Sequence, residues 1–235
     1  MPKTVAIMQP NYLPWQGYVD LMNRVDEFII YDDTQYTRRD WRNRNRIMLA
    51  GKQQWLSIPV EVSGRYEQAI CDVRIADTAW QKAHPATLRH AYAKAPYFED
   101  VCDLLALGFE GRRYQWLLDA DVAFIELIRG YLSIQTRLTF ASDYKAEGRK
   151  TEKLIALCAA AGADHYISAP AAKAYIEPDL FQQAGIQLSY IDYPTYPEYA
   201  HVSTYAPSLS VIDALMHCGQ SAAHHFTPAP KAAAA

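Results

Sequence analysis

Short apolar runs and longer amphipathic segments alternate at both ends of the chain. Apolar runs that stop at proline or acidic residues are typical of buried strands, and apolar residues three or four positions apart are typical of helices. The predicted strands are residues 5–8, 28–31, 54–62, 69–75, 136–140, 165–168 and 186–191. The predicted helices are residues 18–25, 80–92, 101–107, 116–132 and 150–161, with a short one around 180–181.

This alternation predicts an α/β protein with a Rossmann-like parallel sheet, because strands that alternate with helices pair in parallel and carry the helices on their faces. The helix-rich middle of the chain predicts an insertion or cap. We therefore expect the N-terminal part of the α/β domain, with the ligand loops, at residues 1–78 and a helical insertion at residues 79–134. The C-terminal part of the domain is expected at residues 135–220, followed by a flexible tail at residues 221–235.

Composition limits the classes of function. The chain has 235 residues, half of them hydrophobic, and a net charge of −3, which gives no reason to expect nonspecific nucleic-acid binding. The four cysteines are far apart and form no metal-binding pattern, and no apolar run approaches the roughly 20 residues needed to cross a bilayer. No signal peptide is recognisable, so we predict a reduced, cytoplasmic protein without membrane insertion. From the cysteine and histidine spacing we expect no metal site.

The first candidate ligand segment, residues 9–18, follows the first predicted strand and is called the first loop below. Gln9 and Pro10 end the strand, because proline cannot donate a hydrogen bond to a sheet ladder. The loop then passes Trp15, Gly17 and Tyr18 into a helix, whose N-terminus favours phosphate, and Gly17 permits close approach of backbone to a ligand. The alternative is an ordinary turn between a strand and a helix.

The second candidate segment, residues 32–46, carries five arginines and one aspartate between positions 38 and 46 and is called the arginine loop below. Such a cluster on an otherwise acidic chain predicts an anionic ligand, because guanidinium groups bind phosphate and carboxylate through paired hydrogen bonds. Asp32 and Asp33 could hold a metal ion or a substrate amine and are the first two catalytic candidates. The alternative is a solvated surface segment. The candidate substrate-binding residues of this loop are Tyr36, Arg38, Arg39, Trp41, Arg42 and Arg44.

A third group of polar residues follows later strands. Lys150 stands at the start of a predicted helix, and Ser168 and Lys173 follow the strand at residues 165–168. A serine and a lysine at a strand end can bind a triphosphate, so these three residues are predicted to contact a nucleotide cofactor, with Lys173 also the third catalytic candidate. For Lys150 the alternative is a capped surface helix with no ligand contact. His84 and His90 are interpreted as packing or surface residues, and His224 and His225 as part of the tail.

Three separated strings resemble the WbqC-like family of bacterial proteins. They are IMQPNYLPWQGYVDLMNRVDEFIIYDDTQYTRRDWRNRNRI, ADHYISAPAAKAYI and YAPSLSVIDALMHCG, and together the resemblance spans roughly residues 4–220. Members of that family are found among genes for surface polysaccharides such as O-antigen. The resemblance therefore implies a role in making a surface polysaccharide, with a small-molecule substrate that we expect to be a nucleotide sugar.

The order of the first motifs is also similar to the opening of the pantothenate synthetases, which are HUP-type nucleotidyltransferases with a His-x-Gly-His loop for ATP. The matching segment here is Trp15-Gln16-Gly17-Tyr18, which keeps the glycine and has aromatic residues at both histidine positions. Gln35 matches the glutamine that contacts the carboxylate substrate. This resemblance implies ATP as cofactor, with the use of Mg²⁺ left open. It also implies activation of a carboxylate as an acyl-adenylate, followed by amide formation with an amino-sugar nucleotide.

Two other functions remain open at this point. A nucleotidyltransferase of the same fold would make a nucleotide sugar and release pyrophosphate. A noncatalytic protein could bind a nucleotide sugar through the arginine loop alone. The sequence does not name the sugar, the acyl donor or the oligomeric state.

Overall fold

The computed structural model describes residues 2–196, 198, 206 and 208–226. The strands are β1 (Thr4–Met8), β2 (Glu27–Ile30), β3 (Arg44–Leu49), β4 (Lys52–Ser57), β5 (Arg137–Phe140), β6 (His165–Ser168) and β7 (Gln187–Tyr190). The helices are α1 (Gln16–Asn23), α2 (Trp80–Tyr92), α3 (Phe98–Phe109), α4 (Leu117–Tyr131), α5 (Ala141–Tyr144), α6 (Lys150–Ala160), α7 (Pro178–Gln183), α8 (Val211–Cys218) and α9 (Ala223–Phe226).

Five parallel strands form the central sheet in the spatial order β5-β2-β1-β6-β7. The chain first builds outward from β1 through β2 to β5 and then crosses back to place β6 on the other side of β1. This order is that of a Rossmann-like sheet, and the predicted fold class is confirmed. The reversal between β1 and β6 opens a crevice at the carboxyl ends of these strands, which is where open α/β sheets bind ligands.

Strand alternation divides the core into two layers. Ala6, Phe28 and Ile30 pack toward α1, the helices of the middle segment and α8, whereas Val5 and Ile29 pack toward α6 and α7. Successive side chains of a strand point to opposite faces, so a strand buried on both faces is apolar at consecutive positions. The apolar runs that predicted β1 and β2 are therefore the signature of the two central strands of a three-layer α/β/α arrangement.

An antiparallel hairpin of β3 and β4 replaces part of the predicted pattern. The predicted strand at residues 54–62 is β4 only as far as Ser57, and Pro59 follows, which cannot donate to a ladder. The predicted strand at residues 69–75 is wrong. It forms a single 3₁₀ turn at Ile70–Asp72, and its buried residues Ile70 and Val73 are three positions apart rather than two.

The helices α2, α3 and α4 pack on the first loop through an aromatic cluster. The Tyr12 ring meets the rings of Trp80 and Phe124 edge to face, with centroids 5.8 Å and 5.5 Å apart. The Tyr12 hydroxyl shares a hydrogen bond of 2.9 Å with Nδ1 of His84, whose side chain is buried. This cluster fixes the first loop against the helical segment and shares one core with α1 and α8.

His84 is expected to make the protein less stable in mild acid. Burial lowers the pKa of His84 from 6.5 to about 4, so on acidification the unfolded chain takes up this proton before the folded protein does. The contribution of the neutral His84 side chain to stability is therefore fully present above its pKa in the unfolded chain. It is lost as the pH falls toward the pKa of His84 in the folded protein. Between about pH 7.5 and about pH 5.5 we expect His84 to account for a loss of about 1.3 kcal/mol in the free energy of unfolding. Urea denaturation at the two pH values measures it.

The matched control for His84 lies on the same helix. His84→Gln should reduce the difference between the two pH values, whereas His90→Gln should leave it unchanged, because His90 is exposed. An equal pH effect in wild type and His84→Gln would show that the buried imidazole is not the group responsible.

The end of the described chain is ordered against α1. Ser210 caps α8 by accepting a hydrogen bond from the backbone N–H of Ile212, and α9 buries Phe226 completely. The prediction of a flexible tail from residue 221 therefore differs from the structure at residues 221–226, where His224 and His225 belong to a helix; residues 227–235 lie outside the described residues. None of the described helices combines the length and apolarity needed to cross a bilayer.

Candidate ligand-binding cleft

A cleft lies at the reversal point of the sheet, between the segments that follow β1 and β6. It consists of two adjoining cavities of about 610 Å³ and about 490 Å³, which we call the charged lobe and the aromatic lobe. Each volume is within the range of small-molecule sites, roughly 300–1,000 Å³. The wall common to both lobes is made by Met8, Asn11, Trp41, Ala169 and Ala171.

The charged lobe has two cationic side chains, Arg42 and Lys150, and none of the described residues that line it is acidic. Its polar lining includes Gln9, Thr34 and Ser168. A cavity that gathers two positive charges on an acidic chain attracts an anionic ligand, because the surrounding low dielectric strengthens the attraction. The Tyr31 and Tyr175 rings complete the lobe.

Arg42 comes from the arginine loop and is largely buried, with 16% of its side chain exposed. One guanidinium nitrogen lies 2.8 Å from the Asp40 carboxylate. Burial lowers the pKa of Arg42, and Asp40 opposes that effect. Nε of Arg42 is buried and has no hydrogen-bond partner among the described atoms. The side chain is therefore held by one carboxylate and retains a donor for another acceptor.

Lys150 is the first residue of α6 and has a backbone φ of +49°, in the left-handed region that few residues other than glycine adopt. Gly148, with φ +110°, turns the chain just before it. This turn places Lys150 in the wall of the charged lobe at the N-terminal, positive end of an 11-residue helix. The charge of the lysine and the helix dipole therefore act in the same direction.

Aromatic side chains make most of the second lobe. Trp15, Tyr18, Trp41 and Tyr193 line it, and the rings of Trp15 and Tyr193 meet at 4.9 Å between centroids. Asparagines supply polar groups, and none of the described lining residues is charged. Such a surface suits the flat face of a nucleobase or the apolar face of a sugar.

Asn45 joins the two loops that form the cleft. Its amide group donates to the carbonyl oxygens of Leu13 at 2.8 Å and Tyr12 at 3.3 Å. The backbone N–H of Tyr12 in turn donates to the carbonyls of Trp41 and Arg42. These bonds hold the first loop and the arginine loop in a fixed relation, so that Trp41 and Arg42 face the same cleft.

Gly17 packs against the Trp15 indole. A Cβ atom at this position would lie 2.1 Å from the nearest atom of the Trp15 ring, so the missing side chain accommodates the indole. The indole therefore takes the space that was predicted for a ligand phosphate beside Gly17. Pro10 is buried and lines neither lobe, and Gln9 lines the charged lobe.

Comparison with protein-family models places this chain. A model described as the WbqC-like protein family matches residues 9–225. The chain belongs to this family. A relative from Mycobacterium tuberculosis (strain ATCC 25618 / H37Rv), uncharacterized protein Rv1507c, is 41% identical over 221 residues, which cover 94% of this chain and 96% of the relative. Among solved structures none matches significantly, so the resemblance to pantothenate synthetases stays a prediction.

In this WbqC-like protein the arginines of the arginine loop separate into two groups. Arg42 lines the cleft, but Arg38 lies over the Tyr66 ring and Arg44 over the Trp55 ring at 4.5 Å and 4.1 Å. Each of these two also donates to a backbone carbonyl, that of Val62 and that of Arg39 respectively. The guanidinium groups of Arg38 and Arg44 therefore stabilise the surface around the hairpin and do not line the cleft.

The remaining predicted substrate contacts of this segment also lie outside the cleft walls. Arg39 is exposed, with a φ of +56°. Gln35 donates to the carbonyl of Tyr66 at 2.8 Å, which fixes the neighbouring surface loop. Tyr36 is buried, and burial raises its pKa to about 12. Of the predicted substrate residues, the structure thus brings Trp41 and Arg42 together in the cleft.

The three predicted catalytic residues make other contacts. Both carboxylate oxygens of Asp32 accept from Ser142, from its N–H at 3.1 Å and its hydroxyl at 2.6 Å, so Asp32 caps the start of α5. Asp33 pairs with Lys153 at 2.6 Å. The ammonium group of Lys173 lies 5.0 Å from the centroid of the Tyr190 ring, at the end of β7. None of these three lines either lobe.

Ser168 and Tyr18 each line one lobe of the cleft. Ser168 ends β6 in the charged lobe and accepts a hydrogen bond of 3.2 Å from Tyr166, and Tyr18 lines the aromatic lobe. No group of three or more potential metal ligands occurs in the part of the chain that the structure describes.

Sequence reasoning missed several lining residues. Asn11 and Tyr193 follow strands β1 and β7 at the carboxyl edge of the sheet, and Asn45 lies between two arginines of the arginine loop. The signal available was position: polar or aromatic residues directly after parallel strands lie at the edge where the ligands of such sheets bind.

Proposed function

We propose that this protein binds a nucleotide-linked sugar in the cleft and works as an enzyme of surface-polysaccharide synthesis. The observation that carries the proposal is the pairing of the two lobes at the reversal point of the sheet. One lobe presents Arg42 and Lys150 without an acidic neighbour in its lining, and the other presents uncharged aromatic walls. Membership of the WbqC-like family supports the polysaccharide setting.

A nucleotide sugar matches both lobes. Its diphosphate carries the negative charge that Arg42 and Lys150 would neutralise, with the α6 N-terminus adding backbone donors. Its base or its sugar ring would stack against Trp15 or Trp41 in the aromatic lobe.

The specific reaction follows from the resemblance to pantothenate synthetases. A carboxylate oxygen would attack the α-phosphorus of ATP, giving an acyl-adenylate and pyrophosphate. The amine of an amino-sugar nucleotide would then attack the acyl carbon, form the amide, lose a proton and release AMP. Gly17 is covered by the Trp15 indole, so ATP in this reaction would place its phosphates near Lys150 and Ser168 rather than beside Gly17.

The ligand class is tested by thermal unfolding with ATP plus magnesium, AMP, and a panel of UDP- and dTDP-sugars. A ligand that binds only the folded protein, at 100 times its dissociation constant, stabilises it by about 2.7 kcal/mol. We expect a shift with at least one nucleotide sugar, and a smaller shift in Lys150→Ala. Lys145→Ala is the matched control, because Lys145 is exposed and does not line the cleft.

The outcomes separate the remaining alternatives. Formation of AMP with an acid and an amino-sugar nucleotide would support the amide-forming reaction. Formation of a nucleotide sugar with release of pyrophosphate would identify a nucleotidyltransferase, and binding without turnover would identify a noncatalytic binder. If no nucleotide or nucleotide sugar stabilises the protein, the proposal fails.

A further inference from the structure

Asp121 is a fully buried acid on α4, and neither of its carboxyl oxygens has a hydrogen-bond partner among the described atoms. Other buried acids of this protein are paired. Asp213 accepts from the Tyr92 hydroxyl at 2.7 Å, and Asp20 accepts from Arg24 at 2.7 Å. Buried polar groups are nearly always hydrogen-bonded, since a group left unpaired loses its hydrogen bonds to water without replacement. We therefore expect the carboxyl group of Asp121 to have a hydrogen-bond partner, such as a water molecule, that the described protein atoms do not provide.

Two donors without partners lie within electrostatic reach of this acid, and α4 adjoins their loops because the ring of Phe124, one turn from Asp121, packs on the Tyr12 ring. The Tyr18 hydroxyl and Arg42 Nε are both buried and have no hydrogen-bond partner among the described atoms. Asp121 acts electrostatically on both: its charge contributes to raising the pKa of Tyr18 and opposes the lowering of the pKa of Arg42. Two donors and one carboxyl group without partners, within electrostatic reach of each other, are a complementary set.

The set is connected to the cleft. Tyr18 lines the aromatic lobe and Arg42 lines the charged lobe, whereas Asp121 is fully buried and lines neither. Asn11, which lines both lobes, has a buried amide oxygen that also has no partner among the described atoms. Ordered water in protein interiors typically makes about three hydrogen bonds to buried polar groups that are otherwise unpaired.

We infer that Asp121 is a positioning residue that orients the Arg42 guanidinium toward an anionic ligand, through a buried hydrogen-bond network with Tyr18 and ordered water. Either protonation state of the carboxyl group offers an acceptor oxygen to this network. The network leaves the terminal nitrogens of Arg42 for Asp40 and for the ligand. This inference deepens the proposed function and rests on it for the ligand, but the network itself exists in the protein without ligand.

The first test reads the network in the free protein. The Arg42 Nε–H signal in nitrogen-15 spectra should exchange slowly with water in wild type and at least tenfold faster in Asp121→Leu, which keeps a similar volume and removes both acceptor oxygens. Asp213→Leu, the same change at another buried acid, should leave the signal unchanged. Tyr18→Phe removes one hydroxyl and keeps the ring, so it should also speed the exchange, and it serves if Asp121→Leu does not fold. Unchanged Arg42 exchange in the folded variants would overturn the inference.

The second test reads the coupling to a ligand, with uridine diphosphate as probe. Asp121→Leu should weaken binding about tenfold when Arg42 is present and less than twofold in an Arg42→Ala background. Equal losses in both backgrounds would show that Asp121 does not act through Arg42 and would overturn the inference. If uridine diphosphate does not bind wild type, the exchange measurement still decides the network, whereas the binding result counts against the proposed function.

Discussion

Replacing Arg42 with alanine is expected to weaken nucleotide-sugar binding by about 10- to 100-fold. The substitution removes a largely buried cation from the charged lobe, where no described lining residue could replace it except Lys150. A hydrogen bond to a charged group contributes about 1.5–3 kcal/mol, and each 1.4 kcal/mol is about tenfold in affinity. Isothermal titration calorimetry with the nucleotide sugar that gives the largest thermal shift measures the change.

Arg44→Ala is the matched control for Arg42→Ala. Both residues belong to the arginine loop and both were predicted to bind substrate, but Arg44 stacks on Trp55 outside the cleft. We expect its loss to change affinity less than twofold, with a small cost in stability because the stacking is lost. Equal losses of affinity for the two variants would contradict the separation of the arginines into two groups.

Gly17→Ala is expected to destabilise the protein by about 1–3 kcal/mol and to weaken ligand binding. The new methyl group would lie 2.1 Å from the Trp15 ring, so the indole must leave its position in the wall of the aromatic lobe. Forcing extra atoms into a well-packed site costs about this amount. Urea denaturation measures the free energy of unfolding, and calorimetry measures the affinity.

Gly130→Ala is the matched control for Gly17→Ala, because it is expected not to destabilise the protein. A Cβ atom at Gly130, near the end of α4, meets nothing within 4 Å. Alanine is a better helix former than glycine by about 0.8–1.0 kcal/mol, so this variant should be as stable as wild type or more stable. Wild-type stability in Gly17→Ala would show that the indole does not pack on the glycine.

The sheet was largely predictable because its central strands are buried on both faces. Val5 and Ala6 face opposite layers, so β1 reads as a continuous apolar run, and the same holds for Phe28 and Ile29 in β2. The helix α2 was predicted with its observed bounds, residues 80–92. These elements follow from local pattern alone.

The positions of the individual arginines in the fold could not be predicted from their charge. Residues 44–46 were interpreted as loop, but they begin β3, whose alternation buries Asn45 and Ile47 on one face. Arg44 and Arg46 therefore share the opposite face, where both lie over the Trp55 ring. Several of the arginines that indicated a ligand site therefore lie on the surface of the hairpin. Only the folded structure shows that Arg42 is the one that lines the cleft.

Asp121 did have a signal in the sequence. It lies in line with Leu117, Phe124, Ile125 and Ile128, the buried apolar stripe of α4, at the three- and four-residue spacing of one helix face. An acid within such a stripe breaks the apolar pattern, and the two groups on which it acts electrostatically, Tyr18 and Arg42, lie more than 70 positions away in the sequence. Its partners could therefore be found only from the folded structure.

The most direct test of the cleft as the ligand site is a titration followed through the five tryptophan indole N–H signals. Trp15 and Trp41 line the aromatic lobe, whereas Trp80 lies in the helical core and Trp116 under Arg74. With a stabilising nucleotide sugar we predict saturable shifts of the Trp15 and Trp41 signals and no shift of the Trp80 and Trp116 signals. Saturable binding that leaves Trp15 and Trp41 unshifted would place the ligand elsewhere and contradict the account.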